Sequence, residues 1–257
     1  MLTNFQPSAY FPHGAFPHTS LGALAVTATF ALAGYVLRGV SRSGAVAGLG
    51  LAYLIYSGAG VRAFAVLVAL FTITLLATRL GRGHKVALGT AERAGGRGAA
   101  QVLANIGVAA LFAMLYGHYS KPYFVIACAA ALAEAAADTV SSECGQAFDA
   151  PPRLITTGAR VPPGSNGAVS LPGTAFGAAA ALTVALVAVS TSMIAASAIW
   201  LVILAALAGM FMDSLLGATL ERPEGRKGWG LNNDAVNLLG TLTSALLAWG
   251  LAQGLAQ

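Results

Sequence analysis

An all-α bundle of about eight transmembrane helices is the fold class this sequence predicts, and three observations predict it. Of the 257 residues, 57% are hydrophobic and only 9% charged, where a soluble domain carries roughly 25% charged residues; mean hydropathy is +0.73. Apolar runs near the membrane-spanning length of about 20 residues recur along the chain. Lys and Arg collect in alternate loops between those runs, which is the pattern that membrane topology imposes. The net charge of +5 is therefore a topological signal, and no nucleic-acid partner is expected. Abundant Ala and Gly suit close helix–helix contact in lipid.

In order, residues 1–20 are uncharged and rich in Pro, Phe and His. They lack the basic start of a cleaved signal peptide and read as a short tail, with His13 and His18 solvated rather than ligating. The remainder, 21–257, reads as a single transmembrane domain. Leu21 to Leu37 is the first span, closed by Arg38 and Arg42. Ala45 to Val61 is the second, shorter and Gly-rich; the Gly58-Ala59-Gly60 turn and Arg62 divide it from the third, Ala63 to Thr78. A basic loop with Arg79, Arg82, Lys85, Arg93 and Arg97 leads to the fourth, Ala99 to Tyr116. Pro122, suited to a first helical turn, opens the fifth, Tyr123 to Ser141. The longest polar connection, Ser142 to Ser170, precedes the sixth, Leu171 to about Ile194. Ser197 to Leu220 is the seventh, and Ala235 to Gln253 the eighth.

The loops after the odd-numbered spans hold nearly all the Lys and Arg, and those after the second, fourth and sixth hold only Arg62, Lys121 and none. The expectation is a multi-pass protein of a bacterial inner membrane, with both termini outside and cytoplasmic loops near 79–98, 142–170 and 221–234. Cys128 and Cys144 on one helix would be separated by roughly 24 Å at 1.5 Å per residue. That is beyond disulfide reach, so free thiols are expected.

Acids inside membrane-length helices are costly and face cavities or partners. Glu134 and Asp138 lie four residues apart, on one helical face, with Glu143 at the end of the same helix. Asp213 lies about two turns before the end of the seventh span. Asp234, with Asn232 and Asn233, reads as a helix cap, or as a cap and a ligand together. Glu134 reads either as a buried acid holding the bundle or as part of a site. The loop VPPGSNGAVSLPG, Val161 to Gly173, places Gly164, Ser165, Asn166 and Gly167 where successive backbone N–H groups can form an anion-binding nest. Lys85, Arg97, Arg153 and Arg160 are the available cations, and Lys85 and Arg97 sit in a Gly-rich stretch. Carboxylates with phosphate oxygens and water suit Mg²⁺, and cations neutralise a transferring phosphoryl group. Asp138, Glu143, Asp213 and Asp234 are thus candidate Mg²⁺ ligands and catalytic groups. No Walker A loop, H-E-x-x-H motif or zinc-type Cys/His spacing occurs.

The blocks ADTVSSECG, PRLITTGARVPPGSNGAVSLPGT, MDSLLGATLE and NNDAVNLLGTL, together with GGRGAAQVLANIG, resemble the signature segments of an integral membrane family. That family includes the phytyl-phosphate kinases of plants and cyanobacteria. The match runs from about Lys85 to the C-terminus, roughly two-thirds of the chain, while the first three spans agree only in hydropathy. The family has two adjacent basic residues where this chain has Arg97-Gly98. The resemblance implies a CTP-dependent, Mg²⁺-using kinase that converts a prenyl monophosphate to its diphosphate. It also implies phosphate or nucleotide contacts from Arg97, Asn105, Arg153, Asn233 and the 164–167 loop. Residue chemistry alone leaves two rivals: a proton- or cation-coupled transporter working through Glu134, Asp138 and Asp213, and a scaffold without a ligand.

Overall fold

The computed structural model describes residues 21–92, 94–148, 151–222 and 229–255. The tail at 1–20 and the basic residues Arg93, Arg226 and Lys227 lie outside the described residues. The chain is a helical bundle: α1 (Leu21–Val36), α2 (Arg42–Arg79), α3 (Arg82–Leu88), α4 (Ala99–Tyr119), α5 (Pro122–Ala147), α6 (Leu171–Ser190), α7 (Ile199–Thr219) and α8 (Asn233–Gly254). A two-residue antiparallel pair, β1 (Arg153–Leu154) with β2 (Ala168–Val169), closes the loop between α5 and α6. Six helices are long and apolar enough to cross a membrane, and the 16-residue α1 is a shorter apolar helix. The chain is an integral membrane protein.

Unbroken, the 38 residues of α2 would run to about 57 Å at 1.5 Å per residue, nearly twice the roughly 30 Å of a bilayer's hydrocarbon core. The helix breaks at Gly60, with φ 78° and ψ −176°. Gly44 and Gly48 then line the same groove as Leu70, Phe71 and Thr74, so the two arms run back along each other. The arms correspond to the second and third expected spans, and the dividing turn is where the Gly58–Gly60 run places it.

Helix α5 is the centre, packed against α2, α4, α6, α7 and α8. Its apolar stretch is 78% buried, against 33–50% in the other five spans. The Ala-rich run 127–137 makes this possible, because small side chains let neighbouring backbones close in. A Cβ on Gly177 of α6 would lie 2.9 Å from the carbonyl oxygen of Ala137. Cys128 and Cys144, both on this helix, are unpaired and buried.

Two boundaries differ from the sequence reading. α5 continues to Ala147, so Ser142 and Glu143 are helical rather than part of the loop; their polar side chains face a cavity and need no loop to reach it. The cap of α8 is Asn232, whose side chain accepts from Ala235 N at 2.9 Å. Asp234 instead sits in the first turn, where a carboxylate favours the helix dipole.

The conformation at Gly60 belongs to a region that side chains other than glycine's enter at a cost of about 1–3 kcal/mol. Gly60→Ala should lower the stability of the detergent-purified protein by that amount in thermal or denaturant unfolding. Gly50→Ala, with open space at its Cβ, should be neutral or slightly stabilising.

Candidate functional site

One end of the bundle gathers the finishes of α1, of the second arm of α2, of α5 and of α7, and the starts of the first arm of α2, of α4, α6 and α8. The ends converge because each connection is short or folds back over the face. A polar cavity of about 240 Å³ opens there. Asp138, Thr139, Ser142 and Glu143 reach it from α5, Gln101 and Asn105 from α4, Asp213 and Ser214 from α7, and Asn233 and Asn237 from α8. Gly164 to Gly167, with Glu92, Arg97 and Glu221, complete its lining.

Arg97 is held from both ends. Its backbone pairs with Val40 in the α1–α2 turn: Arg97 N donates to Gly39 O at 3.1 Å, and Ser41 N donates to Arg97 O at 2.9 Å. Any side chain at Gly44 would collide with that carbonyl. The guanidinium donates to Thr78 Oγ1 at 3.1 Å and stands 3.9 Å from Glu143 and 4.0 Å from Glu92. On the same segment, Gln101 Oε1 accepts from Gly98 N at 2.9 Å, and Asn105 Nδ2 donates to Gln101 O at 2.7 Å.

Lys85 does not line the cavity. Its side chain is wholly buried, and its ammonium donates to Glu143 Oε2 at 2.6 Å and to the carbonyls of Ala77 and Thr78 at 3.0 and 2.9 Å. All three donors are used, which satisfies carbonyls at the end of α2. This places Lys85 as an anchor beneath the site. Arg153 likewise lies off the cavity, donating to Gly158 O at 2.7 Å within its own loop. Asp234 is also outside the lining.

The 164–167 turn is seated by glycine. Gly167 has φ 69°, and a Cβ there would strike Ala218 and the carbonyl of Ser214 on α7. On its other side, Gly164 (φ 80°) abuts Thr90, where a Cβ would come within 2.6 Å of the threonine methyl. The turn thus bridges α7 and the segment leading to Arg97. Oriented to satisfy both neighbours, the Asn237 amide donates to Asp213 Oδ2 at 3.1 Å and to Asn233 O at 3.2 Å, which orients the Asp213 carboxylate.

Glu134 lies deeper, 1% exposed, in a slot made by two glycines. A Cβ on Gly209 would lie 2.6 Å from its Cγ, and one on Gly240 would lie 2.6 Å from its Oε1. That oxygen has no hydrogen-bond partner.

The structure therefore brings Asp138, Glu143, Asp213, Arg97, Asn105, Asn233 and the 164–167 turn together, and leaves Lys85, Arg153 and Asp234 outside. Glu92, Gln101, Glu221 and Asn237 join the cavity without having been nominated as ligands. The last three fall inside the signature blocks, and that is the signal that could have found them. Among the described residues, no three His, Cys, Asp or Glu side chains come together as a metal cage. The donor set of Asp138, Asp213 and Glu221 is nevertheless all oxygen, with amides and hydroxyls around it. That chemistry fits Mg²⁺ where phosphate and water complete the shell.

A second, largely apolar cavity of about 80 Å³ lies between α1, the arms of α2, α4 and α5. Arg97, Gln101, Asn105 and Thr139 line both cavities.

The model of the integral membrane protein family DUF92 matches residues 25–245. The chain belongs to that family. "Uncharacterized membrane protein sll0875" of Synechocystis is 34% identical over 205 residues, covering 78% of each chain. "Protein VTE6, chloroplastic" of Arabidopsis thaliana is 32% identical over 219 residues, 83% of this chain and 65% of that protein. "Protein PGR", also of Arabidopsis, is 32% identical over 77% of this chain and 78% of its own. No solved structure matches. The family match begins within α1, so it takes in the first three spans, which the signature blocks alone do not reach.

Two expectations follow. Lys85→Met leaves Glu143 and two carbonyls buried without their partner, and breaking a buried ion pair in this way costs about 3–5 kcal/mol; thermal unfolding should show a loss of that size. Burial and the neighbouring Asp138 carboxylate push the Glu221 carboxyl up from its ordinary 4.5 to about 7. The folded state then holds a proton that the unfolded state gives up between those values, so this group's contribution to stability falls as pH rises through that window. Without divalent ions, the stability of Glu221→Gln relative to the native chain should rise from pH 4.5 to pH 7 and then level off, as read by melting curves across pH.

Proposed function

We propose that this protein is a membrane-embedded, Mg²⁺-dependent kinase that uses a nucleoside triphosphate, CTP by the family resemblance, to convert a prenyl monophosphate such as phytyl phosphate to the diphosphate. One observation carries the reading. A glycine-seated turn, one guanidinium and three carboxylates that form no ion pair among the described residues face a single cavity at one end of a membrane bundle. Membership in the family that holds Protein VTE6, and the likeness of the motif blocks to those of phytyl-phosphate kinases, support the same assignment.

The charge balance argues for a divalent cation. Five acids line the cavity and Arg97 is the only Lys or Arg among the described lining residues. A triphosphate entering that field would meet Asp138, Asp213 and Glu221 unneutralised. Asp138 and Asp213, with Glu221, would hold Mg²⁺, whose role when bound is to neutralise phosphate charge. The 164–167 turn offers backbone N–H groups to phosphate oxygens. Arg97, Gln101 and Asn105 offer donors to the lipid's phosphate.

The chemistry needs no strong base. An oxygen of the prenyl monophosphate is already anionic and attacks the γ-phosphorus. A new P–O bond forms, the bond to the β–γ bridging oxygen breaks, and the nucleoside diphosphate leaves with that electron pair. Positioning in line and charge neutralisation carry the rate. Cation- or proton-coupled transport is the reading that Glu134 favours, since it is a buried acid with an unpartnered oxygen. The cavity's acids, however, gather at one end of the bundle and not along its length.

The test is radiolabelled phosphoryl transfer by the purified protein with a panel of nucleotides and prenyl monophosphates. Wild-type protein should transfer label only with Mg²⁺ present. Asp138→Asn and Asp213→Asn should each lose about 10²-fold or more in rate, with melting temperature little changed. Native turnover in both variants would assign these acids to packing.

A further inference from the structure

The apolar cavity beside the site has no role in the phosphoryl chemistry, yet it is joined to it. Its polar end is made by Arg97, Gln101, Asn105 and Thr139, which also line the phosphate cavity. From there it runs between apolar walls of two kinds. One wall is opened by Gly48 of α2, whose Cβ position is nearly free. The other is aromatic, where Phe30 and Phe71 meet edge to face at 5.3 Å.

A groove with an anion-binding head and a hydrocarbon-lined body matches an amphiphile whose phosphate is attached directly to an apolar chain. Resting on the kinase reading above, we propose that this groove holds the isoprenoid tail next to its phosphate, and that Gly48 and Phe71 determine which tails are accepted. The space at Gly48 lets a methyl branch of the isoprenoid chain approach α2 closely. The ring wall supplies polarisable contact for their double bonds and branches. Arg97, at the junction, would hold the lipid's phosphate at the neck between the two cavities, leaving the 164–167 turn on the far side of the polar cavity for the nucleotide.

Gly48 makes a clean test. A Cβ there would find only Val102 Cγ1, at 3.9 Å, and Gly48 lies on a helical arm, where a leucine is better tolerated than glycine. Gly48→Leu should therefore fold normally and fill the groove. Phe71→Ala, which widens it, is the second variant; a cavity substitution of this kind costs stability, so its melting temperature is measured alongside.

The experiment uses the full-length protein in detergent with a diazirine-bearing prenyl monophosphate. Binding is titrated, and cross-linked peptides are mapped by mass spectrometry. Adducts should fall on the residues of α1, α2, α4 and α5 that line the groove. Gly48→Leu should weaken binding of the long-chain monophosphate at least tenfold, with nucleotide affinity within twofold of the wild type, and Phe71→Ala should shift the preference towards bulkier tails. Adducts confined to other helices, absence of adducts, or native lipid affinity in Gly48→Leu would overturn the proposal. The two readings fail separately. Lipid bound through these residues without phosphoryl transfer would sink the kinase and leave the groove; transfer with adducts elsewhere would sink the groove and leave the kinase.

Discussion

The buried ammonium of Lys85 is the contact on which the site's geometry depends. It joins the last carbonyls of α2 to Glu143 on α5, and Glu143 in turn faces Arg97 at 3.9 Å. An isolated charge in this position would cost several kcal/mol in lost solvation. The arrangement survives because every donor is matched, so the ammonium replaces its water with three fixed oxygens. Such a pair adds little net stability over an apolar substitute, but it tolerates almost no displacement. It therefore sets the register of α2, α3 and α5 at the one end of the bundle where polar residues must be positioned.

Arg97 shows how that positioning extends to the cavity side. Its backbone is clamped by the α1–α2 turn and its side chain leans on Thr78. The family's blocks lie from Lys85 onwards, yet the earlier helices hold Arg97 in place. This gives the first arm of α2 a part in the site through packing alone, with Gly44 leaving room for the Arg97 carbonyl. Gly164 and Gly167 do the same for the 164–167 turn, wedging it between Thr90 and α7. The site is thus assembled from five stretches far apart in the chain, and glycines seat two of them.

The central helix reconciles two demands that usually conflict. A run of alanines lets α5 bury itself among five other spans, which suits lipid, where small residues drive helix association. The same helix carries Glu134, Asp138 and Glu143. Asp138 and Glu143 emerge into the polar cavity, while Glu134 is enclosed by glycines of α7 and α8. Burial depth along one helix thereby separates an enclosed acid from two that line the cavity.

Much of this was legible in the residues. Apolar run lengths and the glycine turn at 58–60 are local or additive signals, and each survives into the structure as a helix or a break. Asp138, Asp213 and the 164–167 turn stood out because acids within spans and glycine-rich polar loops are rare in such a composition. The sequence could not show that Lys85 points into the protein while Arg97 points at the cavity. Both are cations in one glycine-rich stretch, and their roles diverge only when α3 turns one of them under α2. Nor could it show the groove between α1, α2, α4 and α5, since hydropathy does not distinguish an apolar face turned to lipid from one turned to an internal cavity. The covalent chain determines which segments are helical and how they alternate. Which side chains share a cavity is decided by helices packing at contact distance, where the presence or absence of a single Cβ settles what fits.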